Sequence, residues 1–296
     1  REAARPKCFS SATAIMYRSS VRVIVLSNPW DIVILGCGQL GGNLKTELEA
    51  EKLQVLGVRR TPMLDDPTCL RLDLDAPYSW DRLCRIPLSQ QAVIVTIMTP
   101  DTRTELAYRE RYVGVSAKLR QWASLPGREH PVIWVSSTAV FGQHQTGILD
   151  ESVPVSPDHW RGQLLWEAEQ NIAQIKAPTT VIRFAGLYDA KSVMRLRDPL
   201  FRAQLDPKAV SSRLHRQDAV SWLRELALGH SRGEQMPALI HGVDQGSATY
   251  QQIFDLLDGA NMPLRPATEG RILATQLGDR MPRLRYPTCE AVLSRP

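Results

Sequence analysis

The sequence predicts an α/β fold built on a doubly wound parallel sheet. Three observations carry this. Short, continuously apolar runs of strand length recur at Ile32–Leu35, Val55–Val58, Ala92–Ile97 and Val132–Val135. Runs of helical spacing separate them, and such alternation pairs strands in parallel and places helices on both faces. A glycine cluster, Gly36-Cys-Gly38-Gln-Leu-Gly41, joins the first strand to the first helix.

The elements follow in order. Ile32–Leu35 reads as a buried strand, and residues 39–52 as a helix. Val55–Val58 closes a βαβ unit of dinucleotide-binding size. Gly36 permits the tight turn off the strand. Gly38 lets a pyrophosphate approach the backbone, and Gly41 lets the helix pack on the strand. The helix N-terminus, with Gln39 and Leu40, offers free N–H groups to phosphate. The fold is therefore Rossmann-like. NAD sites place an acid about 20 residues beyond the glycines for the ribose hydroxyl. Here Val58 is followed by Arg59 and Arg60, two guanidiniums suited to a 2′-phosphate. NADP(H) is accordingly expected over NAD(H). Asp73, after a third short strand, is a candidate partner for the adenine. Met98, Thr99, Ser136 and Ser137 fall at strand carboxyl ends, where such sheets bind ligands.

Residues 105–122 read as a helix with Tyr108, Tyr112, Val115 and Leu119 on one face. A helix is expected from about Trp160, with Asp158 as its N-cap. Residues 189–213, with arginines at 195, 197, 202 and 213, read as a polar surface loop region. A helix over 217–229, a strand over 238–243, and an amphipathic helix over 249–258 capped by Thr249 or Ser247 complete the pattern.

Composition narrows the function. The chain has 296 residues, 43% hydrophobic and 23% charged, within the range of globular proteins. No apolar run reaches the roughly 20 residues of a membrane helix. The net charge is +5, but the basic residues are scattered, so a small-molecule ligand is expected and nucleic acid is not. Five widely spaced cysteines without a CxxC argue against a disulfide framework or a zinc site. A cytoplasmic setting and no metal are the simplest expectations. Residues 1–30 are rich in Arg and Ser with one acid, Glu2. Transit peptides share that bias, but a disordered or artificial extension is the plainer reading.

Two segments then form a distinctive pair: VSSTAVFG at 135–142 and DESVPVSP at 150–157. Together they resemble the SSxxVYG…DExxPxxP region of the extended and atypical short-chain dehydrogenase/reductases, the NAD(P)-dependent epimerase/dehydratase-like proteins. VIRFAGLYD (181–189), RLHRQDAVSWL (213–223) and LRYPTCEAVL (284–293) are similar to further segments of that family, in the same order. The resemblance implies a cofactor-binding domain over 31–190. It implies a smaller C-terminal substrate lobe over 191–296, partly returning to the Rossmann core, and a possible homodimer. It places Ser137 at the family's catalytic hydroxyl position. Ser136, Arg161, Arg183, Tyr188 and His215 become candidate substrate contacts.

The same resemblance exposes a gap. The family carries Tyr-x-x-x-Lys on the helix that begins near residue 160. The stretch PDHWRGQLLWEAEQ (157–170) puts Arg161 and Leu165 there, or Trp160 and Leu164 in the neighbouring register. Leucine cannot anchor a ribose, and arginine stays protonated. Among His144, Asp158, His159 and Tyr188, His159 is the preferred replacement proton donor, because histidine titrates in the useful range. Two functions follow: an NADP(H)-dependent oxidoreductase or epimerase/dehydratase-like enzyme with a non-standard proton donor, or a non-catalytic NADP(H)-binding sensor or regulator.

Overall fold

The computed structural model describes residues 29–61, 66–260 and 264–293. The chain runs β1 (Trp30–Leu35), α1 (Gln39–Ala50), β2 (Val55–Arg59), β3 (Cys69–Arg71), α2 (Ser79–Leu83) and β4 (Leu88–Thr96). It continues through α3 (Glu105–Tyr108), α4 (Val115–Ala123), β5 (Val132–Ser137), β6 (Gly147–Leu149), α5 (Trp160–Ile172) and β7 (Thr179–Phe184). The last part holds β8 (Gly186–Tyr188), α6 (Ala190–Met194), α7 (Pro199–Arg202), β9 (Val210–Ser211), β10 (Arg213–His215) and α8 (Arg216–Ser231). After these come β11 (Leu239–Gly242), β12 (Ala248–Thr249), α9 (Tyr250–Leu257), β13 (Arg271–Leu273) and α10 (Glu290–Leu293).

Seven strands form one sheet in the order β11-β7-β5-β4-β1-β2-β3, every pair parallel. Because side chains alternate across a strand, β1 feeds two cores. Ile32 and Ile34 pack with Leu44 and Leu48 of α1 and with Val220, Leu223 and Leu226 of α8. Val33 and Leu35 pack with Leu119 and Trp122 of α4 and with Ala168 and Ile172 of α5. The chain winds one way from β1 to β3 and the other way from β4 to β11. That reversal between β1 and β4 opens a crevice at the strand carboxyl ends, the standard ligand position in such sheets.

β11 and α8 lie beyond residue 191, yet they complete the large sheet and its helical cover. The smaller lobe gathers around Tyr188, Val193, Leu196, Ala248, Ile253, Phe254, Leu257 and Cys289. Most of the reading of residues 1–30 lies outside the described residues; Trp30 itself opens β1 and is buried. Of the five cysteines, Cys37, Cys69, Cys84 and Cys289 are described and form no disulfide.

Three local expectations are corrected. The helix expected over 105–122 is interrupted by a π-helical turn at Arg109–Gly114, the kind of irregularity that often marks functional sites. The N-cap of α5 is His159, whose ring Nδ1 accepts from Arg161 N–H at 3.3 Å. Asp158 instead accepts from Gln143 N–H at 2.7 Å and pairs with His144 at 3.0 Å. Residues 189–213 are not a plain surface loop. Asp189 caps α6 in a reciprocal capping box, Asp198 caps α7 ahead of Pro199, and Val193 and Leu196 are buried.

A buried ion pair ties β7 to α5. Arg183 of β7 and Glu169 of α5 pair at 2.7 Å with both side chains 4% exposed. Ser136 of β5 donates to the same carboxylate at 2.5 Å. Removing one partner of such a pair leaves an uncompensated buried charge. Glu169→Ala should therefore cost about 3–5 kcal/mol, measured as a lowered midpoint in urea denaturation.

Burial also holds His230 neutral, pushing its pKa from 6.5 down to about 4 while its ring meets the Thr180 hydroxyl at 2.8 Å. The unfolded chain takes that proton near pH 6.5, whereas the folded chain resists it until near pH 4. This contribution to stability is complete above pH 6.5 and is lost as pH falls toward 4. Denaturation midpoints should fall across that window, and His230→Gln should flatten the decline.

Candidate active site

The crevice beside β1 holds a cleft of about 250 Å³. Gly36 and Gly38 form one wall; Arg59, Arg60 and Thr61 follow β2, and Met98, Thr99, Pro100 and Asp101 follow β4. Arg111 closes one side from the π-helical turn. The expected residues Gly36, Gly38, Arg59, Arg60, Met98 and Thr99 thus come together in one place. Gly41 and Leu40 lie behind it: Leu40 is in the core, and a Cβ on Gly41 would stand 3.1 Å from Ile34. Gln39 is exposed and accepts from Arg216 at 3.2 Å. Asp73 is exposed at the rim, 3.7 Å from Arg111, while neighbouring Leu74 lines the cleft.

The two lining glycines differ physically. Gly36 adopts a φ of 86°, and a Cβ there would fall 2.0 Å from the Ile97 carbonyl. A Cβ on Gly38 would meet nothing within 4 Å, so this side of the turn faces open space. No side chain caps α1, which leaves its first-turn N–H groups available to an anion. These features fit the pyrophosphate of a dinucleotide.

The arginines of the cleft are set against Asp101 in its wall and Asp73 and Asp75 at its rim. Arg60 grips Asp101 through both terminal guanidinium nitrogens, and that pairing holds the Asp101 carboxyl below its usual range. Arg111 is buried, 2.8 Å from Asp75 and 3.8 Å from Asp101. Arg59 has no ion pair among the described residues. The sequence places no acid beside Arg59 and Arg60; the fold supplies Asp101 from 41 residues beyond Arg60. It also supplies Arg111, which the reading missed. A charged residue three positions after Tyr108 on the inward helical face was the available signal.

The substrate side is arranged differently. Ser137 ends β5 partly exposed, its Oγ accepting from Ala139 N–H at 3.2 Å. His159 is exposed at the start of α5. Arg161 lies over the rings of Tyr108 and Trp160, 5.5 Å from each centroid. The leucines at the lysine position are core residues, Leu164 at 2% and Leu165 at 1% exposure. Four further candidates are engaged internally. Ser136 and Arg183 bind Glu169. Tyr188 is fully buried in the lobe core. His215 caps α8, stacked 3.8 Å from Tyr286, and burial lowers its pKa. Tyr112 donates to the Met98 carbonyl at 3.2 Å and is pushed well above its usual range by burial. Among the described residues, no group of three or more His, Cys, Asp or Glu has metal-holding geometry. No described helix is long and apolar enough to cross a membrane.

A seven-stranded parallel sheet with a glycine turn at its switch point, the SSTAVFG strand end and a small C-terminal lobe define an atypical short-chain dehydrogenase/reductase. Within that class the chain belongs to the RmlD substrate binding domain family, whose model matches residues 31–198. Solved structures share the fold. A Methylobacillus flagellatus protein assigned as an NAD-dependent epimerase/dehydratase is 24% identical with a TM-score of 0.70, over 88% of this chain and 94% of that one. A nucleoside-diphosphate sugar epimerase from Corynebacterium glutamicum is 19% identical with a TM-score of 0.68, over 90% of this chain but 57% of that one. The dTDP-4-dehydrorhamnose reductase of Bacillus anthracis, solved with NADP, is 17% identical with a TM-score of 0.58, over 88% and 90% of the two chains. No curated protein matches the chain.

The glycines give a paired prediction. Gly36→Ala forces a Cβ against backbone in a left-handed conformation and should destabilise the fold by at least about 2 kcal/mol. Gly38→Val should leave thermal stability nearly unchanged and abolish dinucleotide binding. Thermal melts and calorimetric titration of the two variants separate these outcomes.

Proposed function

We propose that this chain binds NADP(H) and acts as an oxidoreductase or epimerase/dehydratase-like enzyme on a small carbonyl or sugar-nucleotide-like substrate, with a non-standard proton donor. The observation that carries this reading is the charge of the cleft lining: Arg59, Arg60 and Arg111 stand against the single acid Asp101. Arg60 chelates Asp101 and Arg111 is taken up by Asp73, Asp75 and Asp101 at the rim, which leaves Arg59, without an ion pair among the described residues, to pair with a 2′-phosphate. When bound, the nicotinamide would supply or accept hydride. Ser137 would donate its hydroxyl to the substrate oxygen as charge develops, and His159 would exchange the proton. The substrate class leans on relatives of the same fold, one solved with UDP-glucose and NAD and one named for a dTDP-sugar.

The burial of Leu165 favours a second reading, binding without turnover, because no ammonium can take its place beside the ribose. Calorimetry and a substrate panel distinguish the two. NADPH should bind at least tenfold more tightly than NADH, and Arg59→Ser should erase most of that margin, since one charge-assisted contact contributes about 1.5–3 kcal/mol. Equal affinities would sink the arginine argument. Substrate-dependent NADPH oxidation that Ser137→Ala slows by about 10²-fold or more supports the enzyme. Tight NADPH binding with no oxidation across the panel supports the sensor.

A further inference from the structure

In one of the two registers the resemblance allows, Arg161 stands where the wider family carries its tyrosine, and its surroundings are unlike those of a tyrosine. Its guanidinium lies over two aromatic rings, Tyr108 and Trp160, each at 5.5 Å. The inner nitrogen, Nε, is buried without a hydrogen-bond partner. The acids on neighbouring turns are engaged elsewhere. Glu105 and Glu167 both reach Arg109 at 3.6 Å, and Asp158 pairs with His144. Among the described residues, no carboxylate forms an ion pair with Arg161. Its charge is nevertheless felt locally, opposing the upward shift of the Tyr112 phenol.

This guanidinium is fixed in place. Stacking on two rings restricts its rotamers, and α5 is held close to the strand end that carries Ser137. Gly162 makes that approach possible: a Cβ there would stand 2.6 Å from the Ala139 carbonyl, in the turn that the Ser137 hydroxyl itself caps. The guanidinium also sits on the first turn of a 13-residue helix, where the backbone dipole adds positive potential. A stacked arginine with no acid of its own, at a helix N-terminus, is suited to planar bidentate recognition of an oxyanion.

We infer that Arg161 anchors a carboxylate carried by the substrate next to the carbonyl or alcohol that Ser137 would hold. The substrate class is thereby an oxo- or hydroxy-carboxylate, including a sugar acid, in place of a neutral sugar. The inference rests on the proposed function, since it places the substrate at the same site.

Oxamate, its neutral isostere oxamide, and inorganic phosphate are titrated calorimetrically into the NADPH-saturated protein and into Arg161→Met and Arg161→Lys. NADPH affinity is measured separately for each variant. Oxamate should bind the wild type at least tenfold more tightly than oxamide. Arg161→Met should remove that difference, Arg161→Lys should recover only part of it, and NADPH affinity should be unchanged in both. Oxamate bound no better than oxamide, or equally well by Arg161→Met, would overturn the inference. Phosphate bound more tightly than oxamate through Arg161 would overturn the carboxylate assignment. If NADPH fails to bind the wild type, the proposed function fails first, and oxamate titrated into the cofactor-free protein still decides whether Arg161 holds the anion.

Discussion

The turn at Gly36 sits so close to the Ile97 carbonyl that no side chain can stand between them. The ligand-facing geometry depends on that contact. It brings the end of β1 against the end of β4 at the point where strand order reverses. It aims α1 so that its uncapped N-terminus opens on the crevice, and Gly41 lets the first turn of α1 settle on Ile34. Once β1 and α1 are fixed, the carboxyl ends of β2 and β4 can only contribute to the same cleft. Arg59, Met98 and Thr99 gather there because parallel strands all end on one side of the sheet.

Electrostatics then shapes what the crevice accepts. A ring of acids, Asp73, Asp75 and Asp101, lies beside the arginines, and on counting alone the region is not strongly basic. The arrangement matters more than the count. Arg111 is buried between these acids and Arg60 chelates Asp101, so the carboxylates are occupied by cations that the fold provides. Arg59, which forms no ion pair among the described residues, is left on the wall with the glycine turn.

The sheet and the glycine turn were legible in the sequence because their signals are local. Apolar runs of strand length and a GxGxxG between strand and helix need no knowledge of distant residues. What stayed hidden depends on contacts across the chain. Asp101 reaches Arg60 across 41 residues, and Arg183 finds Glu169 only once β7 packs on α5. Ser136 stands at a strand end, where such sheets bind ligands, and Arg183 lies in a segment similar to the family's, yet both side chains reach the buried Glu169 carboxylate. The exchange of Asp158 for His159 as helix cap is a matter of one residue, decided when the Asp158 carboxylate turns toward the backbone of Gln143. The π-helical turn at Arg109–Gly114 leaves the apolar spacing nearly intact, so periodicity alone reads through it.

The loss of the tyrosine–lysine pair follows a physical pattern along α5. On its inner face Leu164, Leu165, Ala168 and Ile172 are buried, with Glu169 the one charged exception. Leu165 packs with Val140, Phe141 and Leu149, just past the turn that Ser137 begins. A lysine there would have to bury its ammonium among these side chains or displace them, and the one acid on that face, Glu169, is already paired with Arg183. The apolar packing that closes this end of the core is therefore incompatible with the family's ribose anchor at Leu165, whereas Ser137 and Arg161 are partly exposed and His159 is exposed.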